Sequence, residues 1–351
     1  MLKFFRGSIL FAIVCFILAA VYGWSEDHTV AALLRALWIV LVLSVLEVSL
    51  SFDNAVVNAT VLKDMDEVWQ RRFLTWGMVI AVYGMYILFP LAIVAVAAGI
   101  GPVEAVSLSL NQPDQYEKIV SSAHIGIAGF GGAFLGMVGL KFFFDEEKDV
   151  HWIDVIEQKL AYASNVPAVE IATMLLALWG ISLLLPAPAD HTFVIAGILG
   201  IVCFIAVHAL GEIMQKREEK AKLSGAALHA GLGGFLYLNV LDASFSFDAV
   251  IGAFALSNNM VIIALGLSIG AMFVRSMTVM LVRKGTLSEY RYLEHGAFWA
   301  ILALAAIMLL SARYEVPESV TGLIGAVLIG FSLWWSVRAN RAEEASAKAS
   351  S

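Results

Sequence analysis

Long apolar segments recur along the whole chain, and they constrain its fold more than any other feature of the sequence. A helix of about 20 apolar residues crosses a lipid bilayer, because each residue adds about 1.5 Å along the helix axis. Candidate spans cover approximately residues 8–24, 30–62, 73–99, 125–144, 168–186, 192–211, 229–257, 260–282, 296–312 and 320–337. The sequence therefore predicts an all-α polytopic membrane protein with about ten transmembrane helices.

The composition agrees with this class and argues against others. Charged residues make up 15% of the 351 residues, whereas soluble domains contain about 25%. Cys15 and Cys203 both lie inside apolar segments, which argues against a disulfide framework and against a thiolate metal site. No phosphate-binding glycine loop, nucleophile–histidine pair or basic nucleic-acid-binding segment stands out. We therefore expect a protein that is not an enzyme, carries no prosthetic group and binds no nucleic acid.

The distribution of lysine and arginine predicts the orientation in the membrane. With both termini in the cytoplasm, the alternating loops place most of the 22 basic residues on the cytoplasmic side, as the positive-inside rule requires. We expect the bacterial cytoplasmic (inner) membrane. The first segment follows Lys3 and Arg6 but lacks a small-residue cleavage site, so we interpret it as a span rather than a signal peptide.

We expect a single transmembrane domain over residues 1–337, built from two pseudo-repeat halves at about 8–186 and 192–337. The polar segment 338–351 is rich in small residues and is predicted to be a disordered cytoplasmic tail. The segment 145–165 lies between two predicted spans, and its apolar residues have the spacing of a surface-lying amphipathic helix.

Two copies of an acidic motif lie within the apolar segments. The first, EVSLSFDNAVVNA, runs from Glu47 to Ala59, and the second, DASFSFDAVIGA, runs from Asp242 to Ala253. Each contains Ser-x-Ser-Phe-Asp with a second acid six positions before the Asp. On the predicted topology the two copies cross the membrane in opposite directions. We therefore expect an inverted-topology repeat with a site near the middle of the membrane.

Helix geometry sets a condition on this site. At about 100° per residue, Glu47, Ser51, Asn54 and Asn58 share one face of a helix, whereas Asp53 lies well off that face. An unbroken helix therefore cannot direct both acids of one copy at a single small cation. Both motif-bearing segments are also longer than one crossing needs. We predict that both motif helices are interrupted near Ser-x-Ser-Phe-Asp; the alternative is that they are tilted and the acids face different neighbours.

The acids are costly in a membrane, and their chemistry suits a metal ion. Each costs about 2.5–3.5 kcal/mol at mid-membrane, and Arg275, the base expected within a span, can neutralise only one of them. Carboxylate, amide, hydroxyl and main-chain oxygens are hard ligands that suit Mn²⁺, Ca²⁺ or Mg²⁺. A network of neutral hydrogen-bonded side chains remains the alternative. The predicted ligands are Glu47, Asp53, Asn54, Asp242 and Asp248, supported by Ser51, Asn58, Ser246 and Arg275.

The motifs resemble those of a known family. EVSLSFDNAVVNA resembles the first signature of the TerC-type membrane proteins, Glu-x-x-Leu-Ser-x-Asp-Asn-Ala, and DASFSFDAVIGA followed by AMFVRSM resembles their second. The length and layout resemble the DUF475 branch of this group, within the LysE-like superfamily. The resemblance implies metal-ion handling, with manganese export and a link to tellurite resistance. Ala249 stands where many relatives have Ser, and Tyr86 stands where we expect their Arg.

We therefore expect a transporter that exports a divalent cation, Mn²⁺ first and Ca²⁺ second. Protons are the expected exchange partner, because carboxylates freed of metal in a low dielectric take up protons. Two alternatives stay open. One is a non-transporting membrane scaffold or assembly factor in metal or tellurite stress, and the other is an exporter of an amino acid or another solute.

Overall fold

The computed structural model describes residues 2–63, 65–77, 79–145, 150–163, 166, 168–223, 231–254, 256–314, 316 and 318–350, and every regular element among them is helical. The α-helices are α1 (Leu2–Asp27), α2 (Val30–Leu50), α3 (Phe52–Leu62), α4 (Glu67–Arg72), α5 (Phe89–Ala98), α6 (Pro102–Asn111), α7 (Pro113–Ser122), α8 (His124–Phe143), α9 (Asp154–Ala163), α10 (Val169–Ser182), α11 (Ala189–Leu223), α12 (Leu232–Ala253), α13 (Met260–Lys284), α14 (Thr286–Glu289), α15 (Leu293–Ser311) and α16 (Glu318–Ser350). Two π-helical segments, Phe73–Gly77 and Ile80–Leu88, lie between α4 and α5.

Every predicted span contains an apolar helix. Among the described residues, seven helices are long and apolar enough to cross a membrane: Lys3–Ser25, Val30–Ser49, His124–Phe143, Ala189–Ile213, Met260–Lys284, Leu293–Ser311 and Leu323–Ala342. Shorter apolar helices over Tyr86–Ala95, Val169–Ser182 and Leu232–Ala243 fall in the remaining three. Large apolar side chains such as Leu10, Trp38 and Leu199 are more than half exposed, as expected of surfaces that face lipid. The prediction of a polytopic helical membrane protein is confirmed.

The predicted interruption is present in the first motif and absent from the second. Ser51 separates α2 from α3, with φ −99° and ψ 22°. Its N–H still donates to the carbonyl of Glu47, and its carbonyl accepts from the N–H of Ala55, so the break is confined to a single residue. The prediction is wrong for the second motif, because α12 continues unbroken from Leu232 to Ala253. A continuous helix satisfies its own backbone hydrogen bonds, which an apolar environment strongly favours.

The motif helices lie at the centre of the bundle, and their neighbours follow a two-fold pattern. α2, which carries the start of the first motif, packs against α13, and α12, which carries the second motif, packs against the second π-helical segment. In the same way, α3 of the first motif packs against α15, and α12 of the second motif packs against α8. This exchange of neighbours is what a two-fold relation between spans two to four and spans seven to nine produces. Further out, α11 packs on α8 and α12, and α16 packs on α15 and α2. The division into halves near residue 190 stays a prediction.

Glycines on α8 let neighbouring helices approach closely. A Cβ atom on Gly132 would lie 2.7 Å from Cγ of Leu309 on α15, and one on Gly136 would lie 2.5 Å from Sδ of Met174 on α10. Both positions are therefore closed to larger side chains. The Gly-x-x-x-Gly spacing thus serves helix packing, as is common in membrane proteins.

The segment expected to form an amphipathic surface helix contains α9, and a buried carboxylate attaches it to the bundle. Glu157 is 1% exposed. Its Oε1 accepts hydrogen bonds from Nε1 of Trp299 on α15 at 2.9 Å and from the N–H of Ile153 at 3.2 Å. Its Oε2 accepts from the N–H of Trp152 at 3.0 Å, and lies 3.5 Å from Nε2 of His295. Glu157 therefore joins the start of α9 to α15.

Removing this carboxylate is expected to loosen α9. Glu157→Ala leaves three partly buried donors without their acceptor, at a cost of up to about 1–3 kcal/mol for each. Hydrogen–deuterium exchange of residues 154–163 should then rise about tenfold or more, while exchange in α13 stays unchanged. Glu157→Gln keeps one acceptor oxygen and should cause a smaller rise. Exchange of α9 at the wild-type rate in Glu157→Ala would contradict this attachment.

The C-terminal segment differs from the expectation. α16 continues through residues 338–350 as helix, where a disordered tail was predicted. Alanine, glutamate, arginine and lysine dominate this segment, and all four have high helix propensity. The helix of the last span therefore extends beyond its apolar part.

Candidate cation site

The two motif copies meet at a small cavity between α2, α3, α12, α13 and the second π-helical segment. Its volume is about 10 Å³, which is room for about one water-sized particle. The cavity is lined by Glu47, Ser51, Asn54, Tyr86, Asp242, Ser246, Ala271, Val274 and Arg275. The structure thus brings together six of the nine predicted site residues. The enclosed space is therefore closer in size to a single ion than to an amino acid.

Glu47, at the end of α2, presents one bonded and one unbonded oxygen. The side chain is 4% exposed. Its Oε1 accepts hydrogen bonds from Oγ of Ser51 at 2.9 Å and from the hydroxyl of Tyr86 at 3.1 Å. Its Oε2 is buried and has no hydrogen-bond donor in the part of the chain that the structure describes. Gly270 on α13 makes room for this side chain, since a Cβ atom there would overlap Glu47.

Asp242, on α12, is paired with the intramembrane base. Its Oδ2 accepts from Nη2 of Arg275 at 2.5 Å, and its Oδ1 accepts from Nδ2 of Asn58 at 3.2 Å. Nη1 of Arg275 donates to the carbonyl of Phe73 at 2.7 Å, and the guanidinium lies 4.5 Å from the centre of the Phe73 ring. The hydroxyl of Ser246 donates to the main-chain carbonyl of Asp242 at 2.8 Å. Arg275 therefore neutralises one acid, as expected from a single base.

Buried acceptor oxygens without a donor concentrate around the cavity. Besides Glu47 Oε2, the Oδ1 atoms of Asn54, Asn58 and Asn239 have no hydrogen-bond partner among the described residues. The amide of Asn58 cannot be flipped, because its Nδ2 donates to the carboxylate of Asp242. The same holds for Asn239, whose Nδ2 donates to the carbonyl of Phe235 at 2.7 Å. Each buried unsatisfied polar atom costs about 1–3 kcal/mol, and two of these four atoms, Glu47 Oε2 and Asn54 Oδ1, belong to residues that line the cavity.

The structure does not bring every predicted ligand to this cavity. Asp53, in the first turn of α3, is 5% exposed but does not line the cavity. Its Oδ1 accepts from the N–H of Asn54 at 3.0 Å, and its Oδ2 would lie 3.9 Å from a Cβ atom on Gly325 of α16. The break at Ser51 therefore leaves Glu47 and Asp53 directed to different neighbours. Asp248 belongs to α12, but its side chain lies outside the described residues.

Comparison with protein families places the chain in one of them. Residues 52–343 match the family described as Protein of unknown function (DUF475). The chain belongs to this family. No curated protein and no solved structure matches it. The match includes Asn54, Asp242 and Arg275 of the DUF475 protein, whereas Glu47 and Ser51 lie just before it.

Three parts of the site in this DUF475 protein were missed or misread from sequence. Tyr86 was noted only as a departure from the TerC-type pattern, and it proves to donate a hydrogen bond to Glu47. Asn239 is a polar residue one turn before Asp242 in an apolar segment, which was an available signal. The Phe73 carbonyl had no signal, because main-chain acceptors depend on how the helices pack.

Proposed function

We propose that this DUF475 protein exports a divalent cation, Mn²⁺ first and Ca²⁺ second, across the bacterial inner membrane in exchange for protons. The cavity between Glu47 and Asp242 is the proposed binding site. The observation that carries this proposal is that two buried oxygens, Glu47 Oε2 and Asn54 Oδ1, have no hydrogen-bond partner among the described residues. Both belong to residues that line a cavity of single-ion size beside a second carboxylate. The inner-membrane location is part of this proposal, and the distribution of lysine and arginine supports cytoplasmic termini.

The ligand chemistry supports a hard cation and argues against an organic anion. The cavity offers carboxylate, amide and hydroxyl oxygens, which Mn²⁺, Ca²⁺ and Mg²⁺ prefer. An exported amino acid would need a base for its carboxylate, and Arg275 at this site is already bound to Asp242. We also propose that the chain is a TerC-type protein of the LysE-like superfamily, and the resemblance of its two motifs to the TerC-type signatures supports this.

Arg275 has a definite role in this scheme. In the structure its guanidinium supplies the positive charge beside Asp242, so an arriving cation competes with it for the carboxylate. A divalent ion has twice the charge of the guanidinium and therefore the stronger Coulomb attraction to Asp242 at a similar distance. Arg275 thus holds the site together between transport cycles and disfavours monovalent ions.

Transport into inverted membrane vesicles tests the proposal. Glu47→Gln combined with Asp242→Asn keeps the side-chain shapes but removes both charges, so the initial rate of Mn²⁺ uptake should fall at least about tenfold. Glu212→Gln, an exposed acid on α11, is the matched control and should transport normally. Asp53→Asn should reduce uptake less, because Asp53 does not line the cavity. Wild-type uptake of both Mn²⁺ and Ca²⁺ by the double variant would overturn the proposal and favour a non-transporting scaffold.

A further inference from the structure

Arg275 is held at two points that differ in strength. Its Nη2 donates to the carboxylate of Asp242, and its Nη1 donates to the carbonyl of Phe73, with the Phe73 ring beneath the guanidinium. The first contact is a charged pair, whereas the second joins a cation to neutral groups. A metal ion that binds Asp242 removes the stronger contact and repels the guanidinium. The released Nη2 then needs another acceptor, because an unsatisfied buried charged donor is costly.

Asn239 offers an acceptor next to this guanidinium. Its Oδ1 is buried and unpaired among the described residues, and its orientation is set by the bond from its Nδ2 to the Phe235 carbonyl. The Arg275 guanidinium and the Asn239 amide both lie beside Gly77. A Cβ atom on Gly77 would lie 2.9 Å from Nη1 of Arg275 and 3.5 Å from Oδ1 of Asn239. A larger side chain at this position would therefore crowd both groups, and glycine avoids this.

We propose that Asn239 is a positioning residue whose Oδ1 receives the Arg275 guanidinium when a divalent cation takes Asp242. The Phe73 carbonyl and ring keep their contact and act as the pivot of this short movement. A neutral amide oxygen binds a guanidinium more weakly than a carboxylate does, so Arg275 rests on Asp242 when no cation competes. Asn239 thereby sets how easily the cation displaces Arg275. This inference rests on the proposed function, since it requires a cation at Asp242.

A double-mutant cycle on Mn²⁺ affinity of the purified full-length protein tests it. Asn239→Leu removes the second acceptor and should weaken Mn²⁺ binding about tenfold, the effect of one hydrogen bond to a charged group. In an Arg275→Gln background no guanidinium needs the acceptor, so Asn239→Leu should leave the affinity unchanged. A merely structural role of Asn239 would weaken binding equally in both backgrounds. Asn340→Leu, at an exposed amide bonded to the Glu289 carbonyl, is the control and should have no effect.

The outcomes separate this inference from the proposed function. Equal weakening by Asn239→Leu in both backgrounds, or no weakening in either, overturns the role of Asn239 while leaving the cation site in place. Failure of the wild-type protein to bind Mn²⁺ or Ca²⁺ overturns the proposed function and this inference together. If Arg275→Gln does not fold, Arg275→Lys replaces it. A lysine amine lacks the planar pair of N–H groups with which Arg275 bonds Asp242 and the Phe73 carbonyl at the same time. The effect of Asn239→Leu should then shrink to about twofold or less, and a full tenfold effect would overturn the inference.

Discussion

Glu47→Gln is expected to weaken Mn²⁺ binding at least about 100-fold, the upper end of what loss of a metal's outer-shell partners causes. The glutamine oxygen can still accept from Ser51 and Tyr86, which bond to Oε1 in the wild type. The amide nitrogen would then replace Oε2, the oxygen that has no hydrogen-bond partner among the described residues. A donor group would face the ion, and one negative charge would be lost, while the local packing stays the same.

Titration calorimetry on purified protein measures this effect directly. Tyr86→Phe is the informative comparison, since it removes one hydrogen bond to Glu47 but leaves both carboxylate oxygens. Its loss of affinity should be about tenfold, as expected for a group that orients a ligand. Wild-type affinity in Glu47→Gln would exclude Glu47 as a ligand.

Asp242→Ala is expected to destabilise the fold by about 3–5 kcal/mol, the usual effect of breaking a buried ion pair. The Arg275 side chain is 5% exposed, and it would keep the Phe73 carbonyl and ring while the neutral amide of Asn239 replaced the carboxylate only weakly. Nδ2 of Asn58 would lose its acceptor as well. An uncompensated charge and an unpaired donor would thus remain inside the bundle.

The free energy of unfolding, measured by denaturant or heat in detergent, shows how much of this loss is due to the Arg275 charge. Asp242→Ala with Arg275→Met should recover most of the lost stability, because an apolar pair replaces a buried ion pair at little cost. Glu294→Ala breaks the more exposed pair with Lys63, whose N···O distance is 3.7 Å, and should cost at most about 1 kcal/mol. A loss in Asp242→Ala no larger than that in Glu294→Ala would contradict a buried, mutually dependent pair.

The spans and the polar stripe of the first motif were predictable because each depends on local sequence. Apolar length locates a membrane helix wherever it packs, and the stripe of Glu47, Ser51 and Asn54 depends only on helical periodicity. That periodicity also placed Asp53 off the stripe, and the structure keeps it there, beside Gly325 rather than in the cavity. The break at Ser51 was expected to bring both acids to one ion, but a single non-helical residue does not turn Asp53 through the required angle.

The parts that could not be predicted depend on which helices meet. The second motif has the same Ser-x-Ser-Phe-Asp pattern as the first, yet α12 is continuous, so the pattern alone does not break a helix. The bonds from Tyr86 to Glu47 and from Arg275 to the Phe73 carbonyl join segments far apart in the chain. The segment after residue 337 is polar, which is typical of disorder, yet its residues have high helix propensity and α16 continues through it.

Anomalous diffraction from crystals grown with Mn²⁺ tests the central claim most directly. The account predicts one strong peak between the Glu47 and Asp242 carboxylates, about 2.0–2.6 Å from Glu47 Oε2, with Arg275 withdrawn from Asp242. Saturating Mn²⁺ with no peak at this position, and Arg275 still bound to Asp242, would contradict it.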